Sequence, residues 1–582
     1  MQASTLSQNR IRTQPFSSHS ALFGYSCKPS KFLNHNRIVF SLFNSRPTKK
    51  RKKERAHQKI FGAGFLTDTT CRATSKQLLI RTLKSDSAKF LLRSDVLSIG
   101  EELRALAFFL FYSAMDSTRN SFNPNKLLKE QFVSNLTGSS KLEICALLTV
   151  LPVLILLGQS FSFNCRIDPY TTETSLKKND NATVGLKNWR LYAATITVDF
   201  LFLLLPFLLC ITVLAEWIYV CAILLMVLLV FFVASRRYGF SSNAEDGACS
   251  LRTIISSYRV AVVTTTCLCI LAVDFKIFPR RNAKTETYGT SLMDIGVGLF
   301  VLANSLVSRQ ARGISTMKLK SALLSTSPLI FLGLARLVTT TSVDYQVHVG
   351  EYGVHWNFFF TLAAVSILTT IINIQTQYCG ILGSLILVGY QVCLMLGLNK
   401  YMLSNERGTD IISLNKEGIF SIFGYWGMYL VGVHLGSYLF FGSDSNSMLR
   451  SYKWAMIRVW ILTLSFWLLT MFLDKYVERV SRRMCNLAYV TLVLALNLQI
   501  LATLMLSAYI GGPKISRLEE AFNNNLLGSF LLANMLTGMV NLCFDTLSAS
   551  PISALAILLG YAFTLSAIVG LADFYRIKLK FW

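Results

Sequence analysis

The chain has 582 residues, 52% of them hydrophobic and 15% charged, with a mean hydropathy of +0.46. A soluble globular domain carries about 25% charged residues, so a water-facing fold of this size is excluded and the composition is that of an integral membrane protein. Net charge is +26, and residues 1–114 hold 20 Lys and Arg against 6 Asp and Glu, more than half of the excess.

Those first 114 residues are Ser-rich and basic and lack a sustained apolar period. Their composition admits an organellar transit peptide or a nuclear signal in Lys49-Lys50-Arg51-Lys52-Lys53-Glu54-Arg55. The plainer reading is a disordered, solvated tail, or a reading frame extended upstream of a start at Met115. Residues 105–114 are apolar but too few to cross a bilayer. The chain therefore divides into a leader, 1–114, and a multi-span membrane domain, 115–582.

From Ile144 onward, long apolar runs alternate with short polar ones. Segments of about 20 residues, the length a bilayer requires, fall near 144–162, 192–214, 216–234, 258–274, 289–308, 318–340 and 355–374. They continue near 377–397, 419–441, 454–473, 487–509, 526–544 and 552–572. The expected fold is all-α and polytopic, with about 13 transmembrane helices. An odd count puts the two ends of this core on opposite faces. Connections after odd-numbered spans are richer in Lys and Arg, Arg236, Arg237, Arg309, Arg312, Lys514 and Arg517 among them. By the positive-inside bias that face is cytosolic and the core starts on the lumenal side. The sequon at Asn135 would then be glycosylated and the one at Asn181 would stay bare.

Thirteen cysteines raise the question of a disulfide or metal framework. Seven of them, Cys145, Cys210, Cys221, Cys267, Cys269, Cys393 and Cys543, lie inside apolar runs, and no CxxC spacing occurs. They read as buried small hydrophobes, with no metal site implied. No Walker A, dinucleotide or G-x-S-x-G motif sits in a suitable setting, and nothing points to nucleic acid.

Ionisable groups at membrane depth are costly, so each is a candidate site. The densest cluster closes the fourth span: Asp274, Lys276, Arg280, Arg281 and Lys284 around Pro279, followed in the fifth span by Asp294. An acid at a helix end, a basic loop and a second acid suit a phosphorylated headgroup, because arginines fork onto phosphate. The competing reading is a set of cations anchoring a helix end. The second cluster, residues 344–357, holds Asp344, His348, Glu351, His355 and Asn357 and is expected on the same face. Histidine beside an acid suits general acid–base chemistry. Arg336, inside the sixth span, requires an acid or a phosphate as partner. Asp199, His434, Asn534 and Asn541 also lie within spans, where interhelical hydrogen bonding is the expected role.

Together the clusters resemble the glucosaminyl-phosphatidylinositol inositol acyltransferases of GPI-anchor biosynthesis. The likeness rests on Val273-Asp274-Phe275, Phe278-Pro279-Arg280-Arg281 and Ala283-Lys284-Thr285-Glu286, and on the run from Gly289 through Asp294 to Gly298. It extends to Glu351-Tyr352-Gly353-Val354-His355-Trp356-Asn357, to residues 129–138 and to residues 531–538, and covers about Met115 to the C-terminus. Departures are Lys276 where the family usually has proline, Asn282 where an aromatic is expected, and the atypical Val347 and Gly350.

The resemblance implies a multi-pass enzyme of the endoplasmic-reticulum membrane. It would move a fatty acyl chain from acyl-CoA to the inositol ring of glucosaminyl-phosphatidylinositol, with membrane lipid around it and acyl-CoA as co-substrate rather than a bound cofactor. From the chemistry required, Asp274 is assigned as base or orienting acid, with Lys284 as its partner or as oxyanion donor. Arg280, Arg281, Asp294, Arg336, His348, Glu351, His355 and Asn357 are assigned to the substrate pocket. The alternative reading is a multi-span lipid or solute transporter, whose path the same charges would mark.

Overall fold

A computed structural model describes residues 131–160 (133 excepted), 181–239, 251–314, 319–342, 349–441, 451–510 and 515–579. The leader, its boundary at 114, Met115, Asp344 and His348 lie outside the described residues. Every expected span coincides with a helix. These are α1 (Lys141–Ser160), α2 (Asn181–Asp199, continued through a π-turn to Ile211), α3 (Ile218–Gly239), α4 (Leu251–Ala272), α5 (Leu292–Leu306), α6 (Leu319–Ser342) and α7 (Phe358–Ile372). After them come α8 (Thr376–Cys393), α9 (Lys416–Phe440), α10 (Tyr452–Tyr476), α11 (Leu487–Leu504), α12 (Leu526–Cys543) and α13 (Pro551–Phe574). Among the described residues 10 helices are long and apolar enough to cross a membrane. The apolar stretches of α5, α6 and α7 are shorter, at 10–17 residues. No strand of more than one residue occurs among the described residues; an isolated bridge joins Gly289 to Ser481.

The sequence places several helix starts with side-chain caps. Ser291 opens α5, Asn357 opens α7 and Asn486 opens α11, each accepting from a backbone N–H of the first turn. Such caps satisfy donors that the helix leaves unpaired.

α11 is the central helix, with 89% of its apolar window buried, whereas α3 is peripheral at 17%. Ile223, Leu224, Val227, Val230 and Phe231 of α3 are exposed, the surface expected where hydrocarbon rather than water is the solvent. Close helix contact inside the bundle depends on small residues. A side chain at Gly432 would run into Ser305, and one at Gly436 into the Leu306 carbonyl, so α9 lies hard against the end of α5.

The cysteine expectation needs correcting in two places. Cys210, Cys267 and Cys269 are buried, but Cys393 and Cys543 are exposed on the bundle's outer surface. An apolar run in a membrane helix faces either the core or the lipid, and hydropathy alone does not separate the two.

Candidate functional site

Five connecting segments meet at one end of the bundle: the approach to α1 and the loops α4–α5, α6–α7, α8–α9 and α10–α11. Backbone hydrogen bonds stitch them together. Ser139 N donates to Thr290 O at 2.9 Å, Gly289 N to Val480 O at 2.8 Å and Val354 N to Leu414 O at 3.1 Å. Asn135 N donates to Glu286 Oε1 at 2.7 Å, and His355 N to Asn415 Oδ1 at 2.7 Å. The approach segment crosses the α4–α5 loop at two glycines, Gly138 (φ +86°) and Gly289 (φ +106°). A Cβ at either would collide with the other segment's backbone, at Thr290 O and Thr137 O respectively. Glycine is required there for both conformation and space.

Asp294 secures this loop from below. It is fully buried in the first turn of α5, where a negative charge is favoured by the helix dipole. Its carboxylate accepts from Thr285 N at 3.2 Å and from Thr285 Oγ1 and Ser291 Oγ at 2.9 Å. With its oxygens engaged by the loop that carries Lys284, Asp294 acts as a positioning residue.

The stitched loops enclose a cleft of about 260 Å³ lined by Lys284, Thr285, Glu286, Gly350, Glu351, Asn405, Arg407, Arg482 and Arg483. At its centre, Glu351 accepts from Lys284 Nζ at 2.7 Å and from Arg482 Nη2. Burial opposes ionisation of Glu351, but the charges of Arg482 and Lys284, with the Lys284 hydrogen bond, hold its carboxyl well below the usual range. A second ionic group lies beside the first. Glu417, fully buried in the first turn of α9, accepts from Arg407 at 2.7 and 3.0 Å and from Arg483 at 2.8 Å.

The two sequence clusters therefore do converge, through Lys284 and Glu351, and the ion-pair partner of Lys284 is Glu351 rather than Asp274. Asp274 is not among the residues lining the cleft; it accepts from Asn541 Nδ2 of α12 at 2.7 Å, and its charge acts on Arg280. The turn Arg280–Asn282 separates the two in the chain.

Arg280 folds back over the end of α4, where Nη2 donates to the carbonyls of Val273, Phe275 and Phe278 at 2.7, 3.2 and 3.1 Å. Burial lowers its guanidinium to about 10, against the opposing charge of Asp274. Arg281 pairs with Glu143 at 2.7 Å and Glu216 at 2.6 Å. Both arginines tie loop to helix, and neither lines the cleft.

Asn357 caps α7 and donates to Gly333 O at 2.9 Å. Both of its functions are architectural. His355 and Arg336 are exposed, and the Arg336 charge acts on Glu351. Asn282 is fully buried, with both amide atoms lacking a hydrogen-bond partner among the described residues.

Arg407, Glu417, Arg482 and Arg483 escape a reading of the sequence, because none lies inside an expected span or in either polar cluster. One signal was available: the α10–α11 loop packs Glu478, Arg479, Arg482 and Arg483 into six residues, on the face already holding both clusters. A second hollow, between α1 and α3, is lined by Ala146, Thr149, Ala222, Ile223, Met226, Val227 and Val230 and carries no titratable group.

Comparison with known proteins bears on the whole membrane domain. A family model described as GWT1 matches residues 125–572. An uncharacterized protein of Arabidopsis thaliana is 56% identical over 432 residues, which are 74% of this chain and 98% of that protein. The phosphatidylinositol-glycan biosynthesis class W protein of Dictyostelium discoideum is 33% identical over 504 residues, covering 78% of this chain and 98% of its own. The GPI-anchored wall transfer protein 1 of Kluyveromyces lactis is 37% identical over 359 residues, 60% of this chain and 78% of that one. With the match running through both polar clusters and all thirteen helices, the chain belongs to the GWT1 family.

Proposed function

We propose that this protein is an O-acyltransferase of GPI-anchor biosynthesis in the endoplasmic-reticulum membrane. It transfers a fatty acyl chain from acyl-CoA to the inositol ring of glucosaminyl-phosphatidylinositol. The observation that carries this reading is the meeting of two separate motifs, one bearing Lys284 and the other Glu351, on a single polar cleft. The names of the Dictyostelium and Kluyveromyces relatives, phosphatidylinositol-glycan biosynthesis and GPI-anchored wall transfer, support the choice of pathway.

In the proposed reaction an inositol hydroxyl oxygen attacks the thioester carbonyl carbon while losing its proton. The tetrahedral intermediate then collapses, the C–S bond breaks, and the CoA sulfur leaves as thiolate or, once protonated, as thiol. Lys284, presented to the cleft by Glu351, is the donor to the oxyanion. Asp274, held by Asn541 Nδ2 outside the lining of the cleft, orients the group that takes the hydroxyl proton. Glu351 is a positioning residue, because its carboxylate stays ionised and holds both Lys284 and Arg482. Membranes containing the protein should acylate glucosaminyl-phosphatidylinositol in a manner that requires added acyl-CoA. Transport of that lipid without an acylated product would overturn the assignment in favour of a carrier.

A further inference from the structure

The charges around the cleft do not balance. Lys284, Arg407, Arg482 and Arg483 line it against Glu286 and Glu351, and the acid beneath, Glu417, is shared by two of those arginines. Arg482 and Arg483 are 5% and 8% exposed, yet Nε of each has no hydrogen-bond partner among the described residues. A buried guanidinium N–H left unpaired costs more than a neutral donor does. Both arginines line the cationic cleft, with donor capacity that no acceptor among the described residues fills. The best match is a tetrahedral anion, since guanidinium donors and phosphate oxygens form charge-assisted bonds in fixed geometry.

We propose that the cleft binds a phosphate ester through the guanidinium groups of Arg482 and Arg483, with Lys284 and Arg407 contributing charge. The inference rests on reading the cleft as the reaction site, and both substrates of that reaction carry phosphate: the acceptor as a phosphodiester, the donor on its CoA moiety. Arg280 and Arg281, the basic pair first expected to hold phosphate, lie outside the cleft lining and are engaged by carbonyls and by Glu143 and Glu216, with Arg280 Nη1 alone left over among the described residues. The phosphate function thus moves some 200 residues along the chain, to the α10–α11 loop.

The test uses the full-length protein in detergent and reads binding without turnover, by ligand-dependent thermal stabilisation. Soluble probes are glycerophosphoinositol, coenzyme A and, as the phosphate-free control, myo-inositol. Arg483→Gln is the main variant because Arg407 still holds Glu417 by two bonds. Arg483→Lys keeps the charge but loses Nε. Each should weaken binding of the phosphate probe about tenfold or more, as expected for loss of a hydrogen bond to a charged group, and myo-inositol should not bind comparably in any of them. Stabilisation by glycerophosphoinositol alone assigns the site to the acceptor, and stabilisation by coenzyme A alone assigns it to the donor. Binding of both probes with unchanged affinity in the two variants, or of neither to the wild type, overturns the proposal. Arginine-dependent binding in a protein that forms no acyl-inositol would leave the site standing and remove the reaction instead.

Discussion

Glu351, partly buried, and Glu519, buried, are glutamates at opposite ends of the bundle, and their electrostatics run in opposite directions. Glu351 lies in the cleft between Lys284 and Arg482 and is held ionised far into acid. Glu519 lies in the short helix Arg517–Asn524 that precedes α12, 3% exposed. Burial pushes its carboxyl up to about 7, partly offset by hydrogen bonds from Ser257 and the Ser516 backbone contact, while the nearby Asp199 charge raises it further. α4 spans the distance between the two ends, about 24 Å from Ser257 to Val273 at 1.5 Å per residue. Burial is common to both acids. The sign of the charges packed against each decides whether the buried group stays ionised.

The largest expected effect tests whether the cationic end is where chemistry occurs. Lys284→Met and Asp274→Asn keep approximate size, so each should lower turnover by about 100-fold or more while protein still accumulates in membranes. Turnover and protein level measured on the same membranes separate catalysis from folding. Full turnover in both variants would remove Lys284 and Asp274 from the chemistry and move suspicion to Glu351 and His355 of the α6–α7 segment.

Next in size is the cost of breaking the compensated charges. Glu417→Ala leaves Arg407 and Arg483 facing each other in a buried setting, and should destabilise by about 3–5 kcal/mol. A fall in the thermal midpoint of the detergent-solubilised protein reports it. An unchanged midpoint would mean that solvent, rather than Glu417, balances the arginines.

The uncompensated end gives a smaller effect with a definite pH sign. A folded-state carboxyl raised from 4.5 to about 7 contributes stability that is complete below pH 4.5 and is lost as pH rises through 7. The wild-type protein should therefore lose about 2–3 kcal/mol from this group between pH 5 and 8. Glu519→Gln should flatten that slope. Glu351 has the reverse dependence: its stabilising charge is present above pH 4.5 and is lost only on strong acidification. An equal slope in wild type and Glu519→Gln would remove the contrast between the ends.

The smallest effect separates paired contacts from diffuse charge. Lys276 is exposed and does not line the cleft. Lys276→Pro should alter stability by no more than about 0.5 kcal/mol and leave turnover unchanged. A marked loss would show that the general positive field at this end matters beyond the bonds that the cleft residues make. Which end faces the lumen is read separately, by mobility shift after removing each sequon. Modification at Asn135 and none at Asn181 places the cleft on the lumenal side, and the reverse pattern places it in the cytosol.

The sequence by itself determined that the chain is a multi-pass helical membrane protein, where each helix lies, and two of the stretches that meet at the cleft. Those properties are local, because a bilayer-length apolar run or an Asn357-type cap is complete within a few turns of chain. Lys284 and Glu351 were legible as site candidates from charge at membrane depth. Tertiary structure alone decided the partners. Lys284 meets Glu351 across 67 residues and Arg482 meets it across 131, while Asp274 turns to Asn541 across 267. It also sorted two similar basic pairs, setting Arg280 and Arg281 on carbonyls and glutamates outside the cleft and Arg482 and Arg483 in its lining. An arginine's role follows from the acceptors within reach of its guanidinium, and those arrive from other helices only once the bundle has packed.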